Sequence, residues 1–203
     1  MKWLKQLYLN NLFFYVFIGI IVCFIFSYFF PALHNATWML FYLFMGFTAI
    51  DFLLLFVSNQ SFTGSRTTPE KLSNGDENPV QIKTQSGYGF PVTVKVIDEI
   101  PYQFQVRDFK LLRKITAGGS DNFEYNLRPV ERGEYYFGKL NIYVSSPLRL
   151  VSRRFAFNNG QMVPTYPSYI QLRKYDLMAL SNRLFEYGVK KIRKIGHTME
   201  FEQ

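Results

Sequence analysis

Between Lys5 and Arg66 the chain carries one charged residue, Asp51. So long a stretch with a single charge cannot present a polar face to water. It must be buried in protein or placed in lipid, and that choice governs everything after it. Leu12 to Phe30 forms an uninterrupted apolar run, and Trp38 to Val57 forms a second. At 1.5 Å per residue, helices of roughly 19–20 residues reach about 28–30 Å, the thickness of a bilayer's hydrocarbon core. Pro31 stops the first run, and Pro31–Thr37 makes a short bridge without Lys or Arg. A cleaved signal peptide would have a shorter apolar core and a small-residue cleavage site, neither of which occurs here. Residues 1–57 are therefore expected to form a transmembrane helical hairpin.

Lys2 and Lys5 precede the first run, and Arg66 and Lys71 follow the second. Positive charge is retained on the cytoplasmic side, so both ends of the hairpin are expected to be cytoplasmic. The expected location is a bacterial cytoplasmic membrane, with two spans and everything after Ser58 inside. Asn35-Ala36-Thr37 matches a glycosylation acceptor but lies against the membrane. Asp51 admits two readings. A carboxylate within a spanning helix costs about 2.5–3.5 kcal/mol at the centre, and such residues often mark ion pathways. Asp51 lies about 9 Å of helix from the Val57 end, however, where it could bond to Thr48 or to the other helix.

The rest of the chain has a different composition. Of 23 Lys and Arg only two precede Ser58, and of 15 Asp and Glu only one, leaving a basic water-soluble part. The lone cysteine, Cys23, excludes an intramolecular disulfide framework and any multi-cysteine metal site. Residues 58–69, rich in Ser, Thr and Gly, are read as a linker. From 70 to 167 short β-type runs alternate with turns such as Asn74-Gly75-Asp76, Gly118-Gly119 and Asn158-Asn159-Gly160. Val92, Val94 and Val96 alternate with Thr93 and Lys95, as in a half-buried strand. Further runs are expected at 72–73, 80–84, 102–106, 109–115, 123–127, 134–137, 140–144, 148–157 and 162–166. Many short strands at this spacing predict an all-β, immunoglobulin-like sandwich. Tyr135 is its candidate tyrosine corner.

After Pro167 the period changes. Leu177, Leu180 and Leu184 fall on one helical face, and seven basic residues against two acidic ones lie between Arg173 and Lys194. Residues 168–203 are expected to form a short basic amphipathic helix leading towards a further, missing domain. Arg173, Lys174, Lys190, Lys191, Arg193 and Lys194 are its candidate contacts to a partner or to anionic lipid. A solvated helix packed on its neighbour is the other reading.

Reactive chemistry is sparse. His34 and His197 have no zinc-ligand spacing, there is no phosphate-binding GxxxxGK[ST] loop, and Gly87-Tyr88-Gly89 continues into Phe-Pro-Val rather than a dinucleotide fingerprint. Ser145-Ser146-Pro147 is not a nucleophile elbow. Asp98-Glu99 and Glu131/Glu134 are acid pairs at strand ends, where carboxylates are usually solvated. The basic charge comes without a stacking platform or recognition helix, so nucleic acid is not expected as a partner. Neither a small-molecule substrate, a cofactor nor a catalytic residue is assigned.

Several segments together resemble the amino-terminal half of the "domain of unknown function 58" membrane proteins. They are Leu72-Ser73-Asn74-Gly75-Asp76, Asp98-Glu99-Ile100-Pro101, Arg132-Gly133-Glu134-Tyr135-Tyr136-Phe137-Gly138, and the closing Gly196-His197-Thr198-Met199-Glu200-Phe201-Glu202. His197 and Thr198 depart from the family's closing signature, and Ser145-Ser146-Pro147-Leu148 replaces a usual Asp-Pro-Phe-Gly-Leu. The resemblance implies two helices, a β-sandwich and then a von Willebrand factor A-like domain, here truncated. It also implies work beside a MoxR-type AAA+ ATPase in assembly or stress functions, and related von Willebrand factor A-domain proteins as further partners. The expected function is thus a non-enzymatic, membrane-anchored interaction protein. The alternative is a small transport or sensor component that uses Asp51.

Overall fold

The structure is a computed structural model and describes residues 5–57, 61–107, 109–158 and 160–168. Its first element is a strand, β1 (Leu7–Leu9), followed by helices α1 (Asn11–Phe29) and α2 (His34–Phe56). Both helices are long and apolar enough to cross a membrane. Their apolar side chains point outward as well as inward: Tyr15, Ile18, Ile25, Met39 and Leu43 are all exposed. A core helix of a soluble protein would bury such residues, whereas lipid accepts them on every side. An aromatic seam joins the pair, with Phe13 and Phe44 ring centroids 5.1 Å apart and Phe24 and Trp38 5.3 Å apart. The bridge is shorter than the sequence suggests. Pro31–Leu33 is one 3-10 turn, and α2 starts directly after it at His34, with Thr37 Oγ1 donating back to the Leu33 carbonyl at 3.0 Å. His34 closes this tip, accepting from Trp38 Nε1 at 3.2 Å.

The strands that follow are β2 (Phe62–Thr67), β3 (Leu72–Ser73), β4 (Asn78–Ser86), β5 (Val92–Asp98), β6 (Leu111–Ile115), β7 (Ser120–Leu127), β8 (Gly133–Phe137), β9 (Leu140–Ser145), β10 (Val151–Phe157) and β11 (Gln161–Tyr166). One sheet has the order β1-β10-β9-β5-β6, the second β2-β4-β7, and the third β3-β11-β8. All pairings are antiparallel except β3 with β11. This is the expected class, two apolar helices followed by an immunoglobulin-like β-sandwich. The core forms where alternating side chains of facing sheets meet. Val92, Val94, Val96, Ile142 and Val144 from the first sheet cluster with Phe62, Ile82 and Phe123 from the second. Leu72, Val80, Leu127, Tyr135, Phe137 and Val163 form a second cluster under the third sheet. Tyr135 is buried and donates its hydroxyl to the Glu131 carbonyl at 2.9 Å, the geometry of a tyrosine corner, while Tyr136 faces solvent.

Three local expectations change. The segment read as a linker contains β2, whose Phe62 and Arg66 point into the core. A Cβ on its Gly64 would meet Ile142 Cδ1 at 2.5 Å, so the small residue there marks close sheet approach rather than a tether. Residues 102–106 form no strand: Tyr102–Phe104 is a 3-10 turn ended by Gln105 in the left-handed region. Residues 148–150 belong to the β9–β10 turn, with Arg149 at φ +57°. The segment after 168, with its basic candidates Arg173, Lys174, Lys190, Lys191, Arg193 and Lys194, lies outside the described residues.

Candidate functional site

The helices and the sandwich meet at the turn between β9 and β10, and polar side chains carry the joint. Asp51, in the last two turns of α2, is fully buried. Its Oδ2 accepts the backbone N–H groups of Leu150 and Val151, each at 2.8 Å, and Oδ1 accepts the hydroxyl of Ser146. Ser146 is itself buried and accepts the Leu148 N–H at 3.0 Å, closing the turn around the carboxylate. Neither partner the sequence offered, Thr48 or the other helix, supplies these donors, and Thr48 donates instead to the Phe44 carbonyl of its own helix at 2.9 Å. Hydrogen bonds to a charged group contribute about 1.5–3 kcal/mol each, enough to repay the desolvation of one carboxylate when three converge.

The same turn holds the start of α1. Asn10 stands at the N-cap with extended backbone, but its amide is turned outward from the helix. Its Nδ2 donates to Ser145 Oγ at 3.2 Å and to the Arg149 carbonyl at 3.0 Å, and its Oδ1 accepts Ser152 Oγ at 2.5 Å. Its backbone N–H reaches the Leu150 carbonyl at 3.0 Å. Asn10 precedes α1 and Asp51 lies near the end of α2, so residues 145–152 receive both sandwich-proximal ends of the hairpin.

A third contact seals the end of α2. The carbonyls of a helix's last turn lack intrahelical partners. That of Leu55 accepts Tyr88 Oη at 3.2 Å and Arg153 Nη1 at 3.0 Å. Burial pushes the Tyr88 phenol above its ordinary pKa against the opposing pull of Arg153, so the hydroxyl keeps its proton to donate. Arg153 also lies over the rings of Phe56 and Phe155, 5.1 and 4.8 Å from their centroids. A guanidinium stacked in this way delivers a donor to the end of α2 without a bare buried charge.

One buried ion pair lies inside the sandwich. Arg66 Nη1 donates to Asp98 Oδ1 at 2.5 Å and Nη2 to the Gly138 carbonyl at 3.1 Å, and Tyr125 Oη donates to Asp98 Oδ2 at 2.6 Å. Burial pushes the Asp98 carboxyl up, opposed by the Arg66 charge and the Tyr125 bond. Burial and the neighbouring Asp98 push the Tyr125 phenol up too. The cluster ties β2 to β5 and β7. Glu99, the neighbour of Asp98, accepts Asn141 Nδ2 and the Lys139 N–H, both at 2.8 Å. Among the described residues, no group of three or more His, Cys, Asp or Glu could hold a metal.

Of the candidates named from sequence, Asp51 is at the joint, and the six basic ones lie outside the described residues. Asn10, Tyr88, Ser146 and Arg153 were missed. Each left a weak trace: an Asn ahead of an apolar run, a Tyr between glycines, a buried hydroxyl in a Ser-Ser-Pro turn, an Arg in an apolar strand. None of these traces names a partner without the fold.

No protein-family model matches the chain, and a search of curated proteins finds no match. Among solved structures the chain is similar to the CARDB domain of the PF1109 protein of Pyrococcus furiosus, crystallised in complex with di-metal ions. The identity is 11%, over 53% of this chain and 89% of that one, with a TM-score of 0.35. It is also similar to a PapD-like domain of human CEP192, at 8% identity over 51% of this chain and 85% of that one, with a TM-score of 0.37. The PKD domain of an M14-like peptidase from Thermoplasmatales archaeon SCGC AB-540-F20 gives 13% identity over 50% of this chain and 91% of that one, with a TM-score of 0.32. The immunoglobulin-like assignment rests on this chain's own strand pairing and tyrosine corner.

Proposed function

We propose that the protein is a non-enzymatic, membrane-anchored interaction module whose hairpin holds the sandwich in a fixed orientation at the bilayer surface. The observation that carries this reading is the joint. One β-turn binds both ends of the hairpin through Asn10 and Asp51, so the sandwich cannot swing on a tether. β1 precedes α1 and pairs with β10, which puts the chain on both sides of the hairpin into one sheet. Lys2 and Lys5 beside an uncharged bridge support a cytoplasmic location for that sheet, in a bacterial inner membrane. The sandwich offers a partner an apolar strip on β8 and β11, where Tyr136 and Met162 are cross-strand neighbours and both exposed.

The family resemblance makes a MoxR-type AAA+ ATPase the partner to test first, and "domain of unknown function 58" the family to which we assign the chain. The segment Arg132–Gly138 that carries the resemblance contains two glycines whose conformation or space matters to the fold. Gly133 has φ +142°, and a Cβ on Gly138 would strike the Glu99 side chain. The test is co-purification of the full chain, in detergent, with a MoxR-type ATPase from the same genome. Binding is expected to weaken and to lose its salt dependence when Lys190, Lys191, Arg193 and Lys194 are neutralised together. Binding that survives this change at physiological salt would remove the basic segment from the contact, and no binding at all would remove the ATPase. The transport reading is weaker because both oxygens of Asp51 already accept donors from the sandwich, which commits the carboxylate to the joint.

A further inference from the structure

A groove of about 360 Å³ opens on the outer face of the first sheet, beside the first turn of α1. Its floor is Thr93 and Lys95 of β5 with Tyr143 and Ser145 of β9, and Arg149 and Leu12 stand at its rim. Two cations line it, and no carboxylate does. Lys95 is half-buried, its ammonium 5.8 Å from the centre of the Tyr143 ring, and no acid pairs with it among the described residues. Arg149 is exposed and spends its backbone, not its guanidinium, on the joint. Its N–H reaches the Ser146 carbonyl at 3.2 Å, and its own carbonyl accepts Asn10. The left-handed φ of +57° at a non-glycine residue is fixed by those bonds and sets the side chain at the rim.

Position decides what such a groove meets. Residues 8–12 line it, and α1 begins within that span, so the groove lies where the hairpin enters the apolar layer. Exposed Leu12, Tyr15 and Val16 continue the wall along the helix. Two positive charges, the Thr93 hydroxyl and an apolar wall leading into the bilayer match one chemistry: a phosphate head with acyl chains attached.

We propose that this groove binds the head group of an anionic phospholipid, with Lys95 and Arg149 on the phosphate and the acyl chains against Leu12 and the outer face of α1. This rests on the membrane-anchoring reading above, and it adds a lipid site separate from the basic carboxy-terminal residues. The bound lipid fills the angle between sheet and bilayer and so completes the joint from outside.

Native mass spectrometry of the full chain, released from detergent with phosphatidylglycerol, phosphatidylcholine or inorganic phosphate, tests it. Phosphatidylglycerol should be retained at least about tenfold better than phosphatidylcholine, and inorganic phosphate should not compete at equal concentration. Lys95→Gln with Arg149→Gln should abolish the preference, and Lys95→Arg with Arg149→Lys should keep it. Arg128→Gln with Arg132→Gln, equal in charge but on the loop before β8, should leave it unchanged. A preference that survives the first pair, or one lost equally in the Arg128 and Arg132 control, overturns the proposal. Competition by inorganic phosphate would make the groove a soluble-phosphate site and overturns it as well. A chain that partitions into water rather than detergent would instead defeat the membrane reading itself, a result visible before any lipid is added.

Discussion

Asp51 combines the greatest cost with the greatest return in this chain. A carboxylate in an apolar helix is unfavourable until three donors converge on it, and those donors come from residues 146, 150 and 151, far along the sequence. Asp51→Asn keeps the shape but presents an amide to groups that donate. It should lower the stability of the full chain in detergent by about 1–3 kcal/mol, measured by thermal unfolding. Ser146 supplies only one of the three bonds, so Ser146→Ala should cost less than Asp51→Asn in that measurement. Tyr135→Phe removes the corner bond to Glu131 and should cost about 0.5–1.5 kcal/mol, whereas Tyr136→Phe, on the exposed face, should cost nearly nothing. Gly138→Ala forces a methyl against Glu99 and should destabilise by about 1–3 kcal/mol in the same assay.

At the scale of elements, β2 decides where the soluble domain begins. It brings Phe62 to the core and Arg66 to Asp98, so removing it leaves a buried carboxylate without its cation. A fragment starting at residue 61 should unfold cooperatively and give a strand-dominated circular dichroism spectrum. One spanning only 70–167 should not; cooperative unfolding of that shorter fragment would show β2 to be dispensable. The sequence made much of this legible. Two charge-free runs marked the helices, and the Val92–Val96 alternation located a central strand and its buried face. β2 was hidden because its sequence, Phe-Thr-Gly-Ser-Arg-Thr, looks like a tether: its glycine serves a close sheet contact and its arginine is buried. β1 was hidden by its length, three residues that become a strand only when β10 lies beside them. The joint was half legible. Asp51 stood out as an anomaly, but its partners are about a hundred residues away, and no local pattern encodes such a distance.

For the whole molecule, the joint makes a hairpin and a sandwich one body, with consequences for topology and for partners. Because β1 and β10 share a sheet, residues before and after the hairpin must lie on the same side of any membrane it crosses. In a chain carrying Cys23→Ala, Ser65→Cys should react only after cells are opened, and Ala36→Cys in intact cells. Labelling of position 65 from outside would reverse the orientation. Attachment at this joint also means that force or motion applied to the sandwich would reach the helices directly. Hydrogen exchange at the Leu150 and Val151 amides, in the full chain in lipid nanodiscs, reads the joint itself. Their acceptor is the Asp51 carboxylate, so both should be protected in the native chain. In Asp51→Ala they should exchange at least about tenfold faster while the amides of Ile142 and Val144 in β9 stay unchanged. Fast exchange at 150 and 151 in the native chain, or equal rates in the two proteins, would contradict the joint and the fixed orientation built on it.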